Sequence, residues 1–296
     1  MTRAPADGGT PHGAAPQTSR AETGSMEVHM STDHVNIGFY DSSGAAAHYG
    51  GRSGLLTAEI MILFKHHDVI VGSRLLDVGC GAGRTTRFLC QWAGRYVGID
   101  YSEAMVRACS ERHGGCQCEV ADARDLSIFA DGEFDVVLFS HNGIDALPHE
   151  DRLASFDEMN RVLRDGGLLI FSTHNRDYRL ARSEPRLTWT YDPCAMVKRF
   201  VAYLRARRNR SRNKPHERFE NEYWIINDRA HAYSLMTYHV DHRTQERQLA
   251  DAGFETLEVY RKDGSVLDAG ESSDDSPWLY FVARKTGRGT THESGD

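Results

Sequence analysis

Apolar positions along the chain fall into short blocks that alternate between two spacings. Residues 55–67 carry apolar side chains at Leu55, Leu56, Ile60, Ile62, Leu63 and Phe64, a recurrence every three or four residues that predicts a helix. Residues 74–78 are a short apolar run and predict a strand, followed by a glycine cluster and a helix over 85–92. The alternation continues with a strand at 96–99, a helix at 103–112, a strand at 118–120 and a strand at 134–139 that is apolar except for Asp135. A helix over 150–163 is stopped by Asp165, Gly166 and Gly167, and 168–172 read as a fifth strand. Short apolar strands alternating with helices predict a mostly parallel sheet covered on both faces.

Residues 176–240 break this rhythm. They are aromatic and basic, show no strong strand period, and read as an insertion. A helix over 242–252, a stop at Gly253, a strand at 256–260 and a last strand at 278–283 follow. No helix separates the final two strands, so they are expected to pair antiparallel across a long Gly/Ser/Asp-rich loop. Residues 1–33 and 286–296 are polar and poor in large apolar side chains, which predicts disordered tails flanking a domain at 34–285.

Composition narrows the class. The 296 residues are 40% hydrophobic and 26% charged, as expected of a globular chain. No apolar run reaches the ~20 residues of a membrane span, and no signal sequence opens the chain, so the expected location is cytoplasmic. The six cysteines read as reduced thiols. Cys116 and Cys118 lack zinc-site spacing and no second Cys/His pair completes a site, so no metal is expected. The net charge of −7 argues against a general nucleic-acid binder, although basic residues crowd 198–218.

The chemistry starts at Leu75-Leu76-Asp77-Val78-Gly79-Cys80-Gly81-Ala82-Gly83, which runs from a predicted strand into a helix. Gly79 and Gly81 allow a tight turn and close backbone approach to a ligand, and Gly83 permits tight packing at the helix start. Asp100 ends the next strand, 23 residues after Asp77, near the spacing at which an acid meets a ribose diol. Together they point to an adenosine-type cofactor. The G-x-G-x-G spacing differs from the G-x-G-x-x-G of dinucleotide folds and argues against a nicotinamide-dependent oxidoreductase. D-V-G-C-G-A-G resembles the first motif of the class I methyltransferases, G-I-D-Y-S the second, and Ala121-Asp122-Ala123 the third. The resemblance implies a Rossmann-like sheet of seven strands with an antiparallel last strand, and S-adenosylmethionine as cofactor, leaving as S-adenosylhomocysteine. It implies that Asp77 lies near the methionine part, that Asp100 holds the ribose hydroxyls, that Asp122 and Ala123 meet adenine, and that Ile99 and Met105 flank the ring. Cys80, Tyr101 and Ser140 join this cofactor set, and Tyr49, with Tyr40 behind it, stands in a segment that folds over the cofactor in the wider family. From the residues alone, Asp77 also reads as a structural acid, Asp100 as a helix cap, Asp122 as a turn residue and Met105 as core.

Methyl transfer from a sulfonium is an in-line displacement, so orientation dominates, with a base where the acceptor loses a proton. Acceptor groups belong at the C-terminal strand ends. Two His-Asn pairs sit there, His141-Asn142 and His174-Asn175. The first lies within F-S-H-N-G-I-D, which resembles small-molecule members of the class rather than the N-P-P-Y of enzymes acting on DNA bases or glutamine. H-E-D-R at His149–Arg152 and S-T-H-N at Ser172–Asn175 share that resemblance. His141, His174 and, in the insertion, His231 are the candidate bases, and Asn142, Asn175, Tyr233 and Tyr238 the candidate acceptor contacts. The alternative for each histidine is a backbone hydrogen bond at a strand end. The insertion reads as a lid or as a surface subdomain with its own tyrosine core. The leading expectation is methylation of O or N of a small-molecule metabolite. The alternatives are an RNA or protein methyltransferase docking through 198–218, and a non-catalytic cofactor-binding protein.

Overall fold

The structure is a computed structural model that describes Asn36 and residues 54–286, the side chains of Ala230 and His231 excepted. Tyr40, Tyr49 and the tails expected at 1–33 and 286–296, apart from Thr286, lie outside the described residues. In chain order the elements are α1 (Thr57–Lys65), α2 (His67–Ile70), β1 (Arg74–Val78), α3 (Thr86–Trp92), β2 (Arg95–Asp100), α4 (Glu103–Arg112), β3 (Gln117–Val120), β4 (Phe134–Phe139), α5 (His149–Val162) and β5 (Leu163–Asn175). They continue with α6 (Pro193–Asn213), β6 (Arg218–Phe219), β7 (Tyr223–Ile226), β8 (Thr237–Val240), α7 (His242–Asp251), β9 (Phe254–Arg261) and β10 (Trp278–Lys285).

Seven strands form the expected sheet in the order β3-β2-β1-β4-β5-β10-β9. Pairing is parallel as far as β5, and β10 runs antiparallel to both β5 and β9. Successive side chains of a strand point to opposite faces, and both faces are buried. Leu76, Val78, Val137, Phe139 and Phe171 pack on one side. Leu75, Val136, Leu138 and Ile170 pack on the other, with Ile62, Leu63 and Leu89 from the helices. The sheet order reverses between β1 and β4, which places a crevice at their C-terminal ends.

The strand count corrects the sequence reading: the sheet has ten strands, because the insertion adds three. The four-residue runs Tyr223–Ile226 and Thr237–Val240 are aromatic and β-branched but too short to announce a period. They pair antiparallel, with β6 at the edge. β8 joins the tip of β5 in parallel, His174 opposite His239 and Asn175 opposite Val240. Because β10 occupies the other edge of β5 as far as His174, β8 continues the lane of β4 beyond its end. The insertion therefore stands over the C-terminal edge of the sheet, where the crevice lies.

The reading of six reduced thiols also fails. Cys90 on α3 and Cys116 just before β3 form a disulfide, their Cα atoms 6.0 Å apart although 26 residues separate them. Spacing along the chain carries no sign of this contact between α3 and the turn that leads into β3. The sulfurs of Cys80, Cys109 and Cys118 gather within 4.8 Å of one another beneath the glycine loop.

Candidate active site

The glycine loop leaves β1 at the crevice. Gly79 has φ 63°, a backbone state costly for residues with a Cβ. A Cβ there would lie 2.8 Å from the Phe139 ring. Gly81, at φ 56°, faces open space. Its backbone borders a cleft, partly open to solvent, that is lined by Asp100, Asp122 and Asp77 and reaches His141 and Leu147. A cleft with exposed loop backbone at one wall and three acids along it fits an adenosyl amino acid.

Asp100 is held rather than idle. Its carboxylate accepts from the Gly81 N–H at 3.0 Å and the Ser102 N–H at 2.9 Å. The helix cap is Ser102, whose Oγ accepts from the Met105 N–H, so capping does not account for Asp100. Met105 is buried in the cleft wall and Tyr101 lines it half-exposed; Cys80 and Ala123 border it too. Asp122 borders the cleft but accepts from the Arg124 guanidinium with both oxygens, Nε to Oδ1 at 3.0 Å and to Oδ2 at 3.1 Å, and Nη2 to Oδ2 at 2.7 Å. Its turn geometry, with the Arg124 N–H at 2.9 Å, is thus present alongside its place at the cleft.

Asp77 is buried at the end of β1 and accepts from Thr85 Oγ1 at 2.6 Å and Tyr96 OH at 2.9 Å. Burial pushes its pKa up to about 7, against the pull of those two hydrogen bonds. Next to it stands a buried pair that sequence reading missed. Arg84 grips Glu59 through two hydrogen bonds of 2.6 Å, and both contact Ser140. The pattern of 55–67 misled because Ile60 and Phe64 are exposed, while α1 buries Ala58, Glu59, Ile62 and Leu63. Asn36, also missed, lines the cleft and bridges Ala146 O and Met236 O, each at 2.9 Å. It ties the insertion to the turn Gly143–Ala146 after β4. One asparagine between Val35 and Ile37 gives no sequence signal for such a link.

At the chemistry end, His141 and Asn142 are both left-handed, at φ 57° and 59°. Such a state costs on the order of 1 kcal/mol for each non-glycine residue and clusters at functional sites. The turn aims His141 into the cleft, its ring edge-on to Trp278 with centroids 5.2 Å apart. Asn142 is tied back by its N–H to Ser172 Oγ at 2.8 Å and does not line the cleft.

The structure does not bring His174 to the same cavity. It is buried behind Asn142, with its Nδ1 2.6 Å from Asp145 Oδ2 and its N–H donating to the same oxygen at 2.6 Å. Burial opposes the charged ring, but the hydrogen bond and field of Asp145 prevail, and the pKa is raised. Arg152, fully buried, donates to Asp145 Oδ1 and to Gln245 Oε1, each at 2.6 Å. His239 packs against His174, and burial followed by that neighbour drives its pKa well down.

The acceptor candidates also fall elsewhere. Asn175 is buried and spends its amide on Ser273 and Ser276. Tyr238 lies in the insertion core, hydrogen-bonded to His149 and Gln248, and Tyr233 donates to Ser183 O. None of the three lines the cleft, and Tyr238 packs with Tyr223, Ile225, Met236 and Val240 in the insertion's own core. His231 sits in the turn Ala230–Tyr233.

Residues 75–167 match a family model described as a methyltransferase domain. The ubiquinone biosynthesis O-methyltransferase of Methylococcus capsulatus is 30% identical over 162 residues, covering 51% of this chain and 67% of that protein. The 2-methyl-6-phytyl-1,4-hydroquinone methyltransferase of Synechocystis is 32% identical over 161 residues, covering 52% and 48%. The chain thus spans two thirds of the first relative and about half of the second. A crystal structure of an S-adenosylmethionine-dependent methyltransferase from Mesorhizobium loti shares the fold at TM-score 0.52 and 23% identity, covering 77% of this chain and 98% of that one. With a methyltransferase-domain match running from β1 into β5, and a relative matched across two thirds of its length, the chain belongs to the class I S-adenosylmethionine-dependent methyltransferases.

Proposed function

We propose that this enzyme transfers the methyl group of S-adenosylmethionine to an oxygen or nitrogen of a small-molecule metabolite. The observation that carries the reading is the cleft that joins the glycine loop and Asp100 to His141 at the C-terminal ends of the strands. A cleft of this kind, walled by loop backbone and a few polar side chains, suits a compact acceptor. Relatives named as a ubiquinone biosynthesis O-methyltransferase and a hydroquinone methyltransferase support a small-molecule acceptor, and the first name supports an oxygen.

When bound, the cofactor supplies an electrophilic methyl on a sulfonium. The chain's residues do the rest. Asp100 binds the ribose hydroxyls, Met105 and Ala123 border the adenine, with Asp122 beside it, and Asp77 faces the cationic methionine end. The insertion, clamped by Asn36, excludes water from the acceptor. His141 orients the acceptor and takes its proton. Replacing His141 with Ala is expected to leave S-adenosylhomocysteine affinity within about twofold and to lower turnover 10²–10⁴-fold, on the order of a general-base contribution. Titration calorimetry and a methyl-release assay on candidate phenols and amines check this. Turnover unchanged in the variant removes His141 from the mechanism.

Asp77 gives a pH signature. Its folded pKa of about 7 stands above the ordinary carboxyl value. Its contribution to stability is therefore complete below the ordinary pKa and lost as pH rises through about 7. A cationic ligand favours the ionised form. S-adenosylmethionine affinity should accordingly rise roughly tenfold between pH 6 and 8 and then level. Asp77→Asn should bind more weakly and without that slope, and a flat wild-type profile would contradict the assignment.

Among the described residues no helix is long and apolar enough to cross a membrane.

A further inference from the structure

Helix α6 is amphipathic in the reverse sense. At ~100° per residue, Ala206, Arg210 and Asn213 share one face, and that face is buried. Arg210 is held there by Glu184, Glu217 and Asn227 O. On roughly the opposite side, at the 3-4-7 spacing of a continuous stripe, lie Val197, Phe200, Val201 and Leu204. These are 64%, 46%, 60% and 49% exposed. Trp189 and Tyr191, 73% and 98% exposed, precede the helix in a loop that Arg199 ties to it through the Trp189 carbonyl at 2.8 Å. Exposed apolar surface of this extent marks an interaction site.

Charge selects the partner. From Pro193 to Lys214 the sequence contains no acidic residue. Lys198, Arg199, Arg205, Arg207, Arg208 and Arg212 are all exposed. On the wheel, Lys198, Arg205 and Arg212 flank one side of the stripe and Arg207 the other, while Arg208 ends the stripe one turn beyond Leu204. Two copies meeting on this face about a twofold axis would set cation against cation. Nucleic acid would satisfy the arginines but leave the apolar stripe in water. An anionic lipid surface satisfies both, with apolar side chains below the headgroups, aromatic rings at the interface and arginine stems reaching to the phosphates. We propose that α6 and the Trp189–Tyr191 loop lie in the plane of an anionic membrane and dock the enzyme there peripherally.

The test is flotation of the full chain with vesicles of equal parts phosphatidylglycerol and phosphatidylcholine, against phosphatidylcholine alone. Wild type should float with the anionic vesicles and weaken as salt rises. Val201→Asp/Leu204→Asp should abolish flotation. Arg205→Gln/Arg207→Gln/Arg208→Gln should weaken it roughly a hundredfold, from about fivefold per cation at an anionic surface. These side chains are exposed and do not line the cleft, so S-adenosylhomocysteine binding should be unchanged in both variants and serves as the check on folding. Absence of wild-type flotation overturns the proposal. So does flotation retained by Val201→Asp/Leu204→Asp, which would reduce the effect to charge alone. A wild-type dimer in sedimentation equilibrium that the same variant dissolves would assign the stripe to a second copy and overturn it too.

Discussion

Asp100→Ala should lose S-adenosylhomocysteine binding by 10²–10⁴-fold while the protein stays folded. Two hydrogen bonds from ribose hydroxyls to one carboxylate are worth about 1.5–3 kcal/mol each. The same carboxylate fixes the Gly81 and Ser102 N–H groups, so its removal also loosens the loop that borders the cleft. Asp100→Asn is expected to recover little, because an amide that keeps one acceptor oxygen turns its donor end toward one of those two N–H groups. Ser102 still caps α4 in either variant, which is why the fold should survive. Calorimetric titration with circular dichroism as the folding control decides it, and binding within tenfold of wild type would detach Asp100 from the cofactor.

Asp145→Ala should instead damage stability. It would leave Arg152 charged and buried without its carboxylate, a situation that costs about 3–5 kcal/mol. For a domain of this size that corresponds to a fall in Tm of roughly 6–20 °C. Thr173 Oγ1, the His174 N–H and the His174 ring would lose the same partner. A pH dependence goes with it. The folded pKa of His174 is raised, so the stability it contributes is complete below the ordinary histidine pKa of ~6.5 and is lost as pH rises through the folded value. Urea unfolding across that window should show the decline in wild type and lose the His174 part of it in Asp145→Ala. A variant as stable as wild type would mean that Arg152 finds another partner.

The contrast between these two acids marks what was legible in the chain. Asp100 sits at a fixed distance from a glycine turn, and both are consequences of one strand-helix-strand unit, so local pattern locates them. The strands at 74–78 and 134–139 and the helix at 103–112 fall where period and capping put them. Asp145, Arg152 and His174 meet only because β5 carries its tip past the end of β4 into the insertion. No spacing along the chain encodes that meeting, and His174 therefore looked like a cleft residue. Glu59 and Arg84 were hidden for a related reason. A helix lying on a loop buries the face that the loop covers, and in α1 that face includes a glutamate while Ile60 and Phe64 stay in solvent. Tyr233 and Tyr238 share their types with acceptor-binding residues, yet an inserted ribbon has to bury something of its own, and its tyrosines serve that purpose.

The most direct test of the cofactor site is thermal unfolding with S-adenosylmethionine, S-adenosylhomocysteine and NAD in parallel. Ligand at a hundred times its dissociation constant adds about 2.7 kcal/mol to the native state, a rise in Tm of roughly 5–10 °C. The account predicts that rise with the first two, none with NAD, and none with any of the three in Asp100→Ala. A rise with NAD alone, or no rise with either adenosyl ligand, would contradict it.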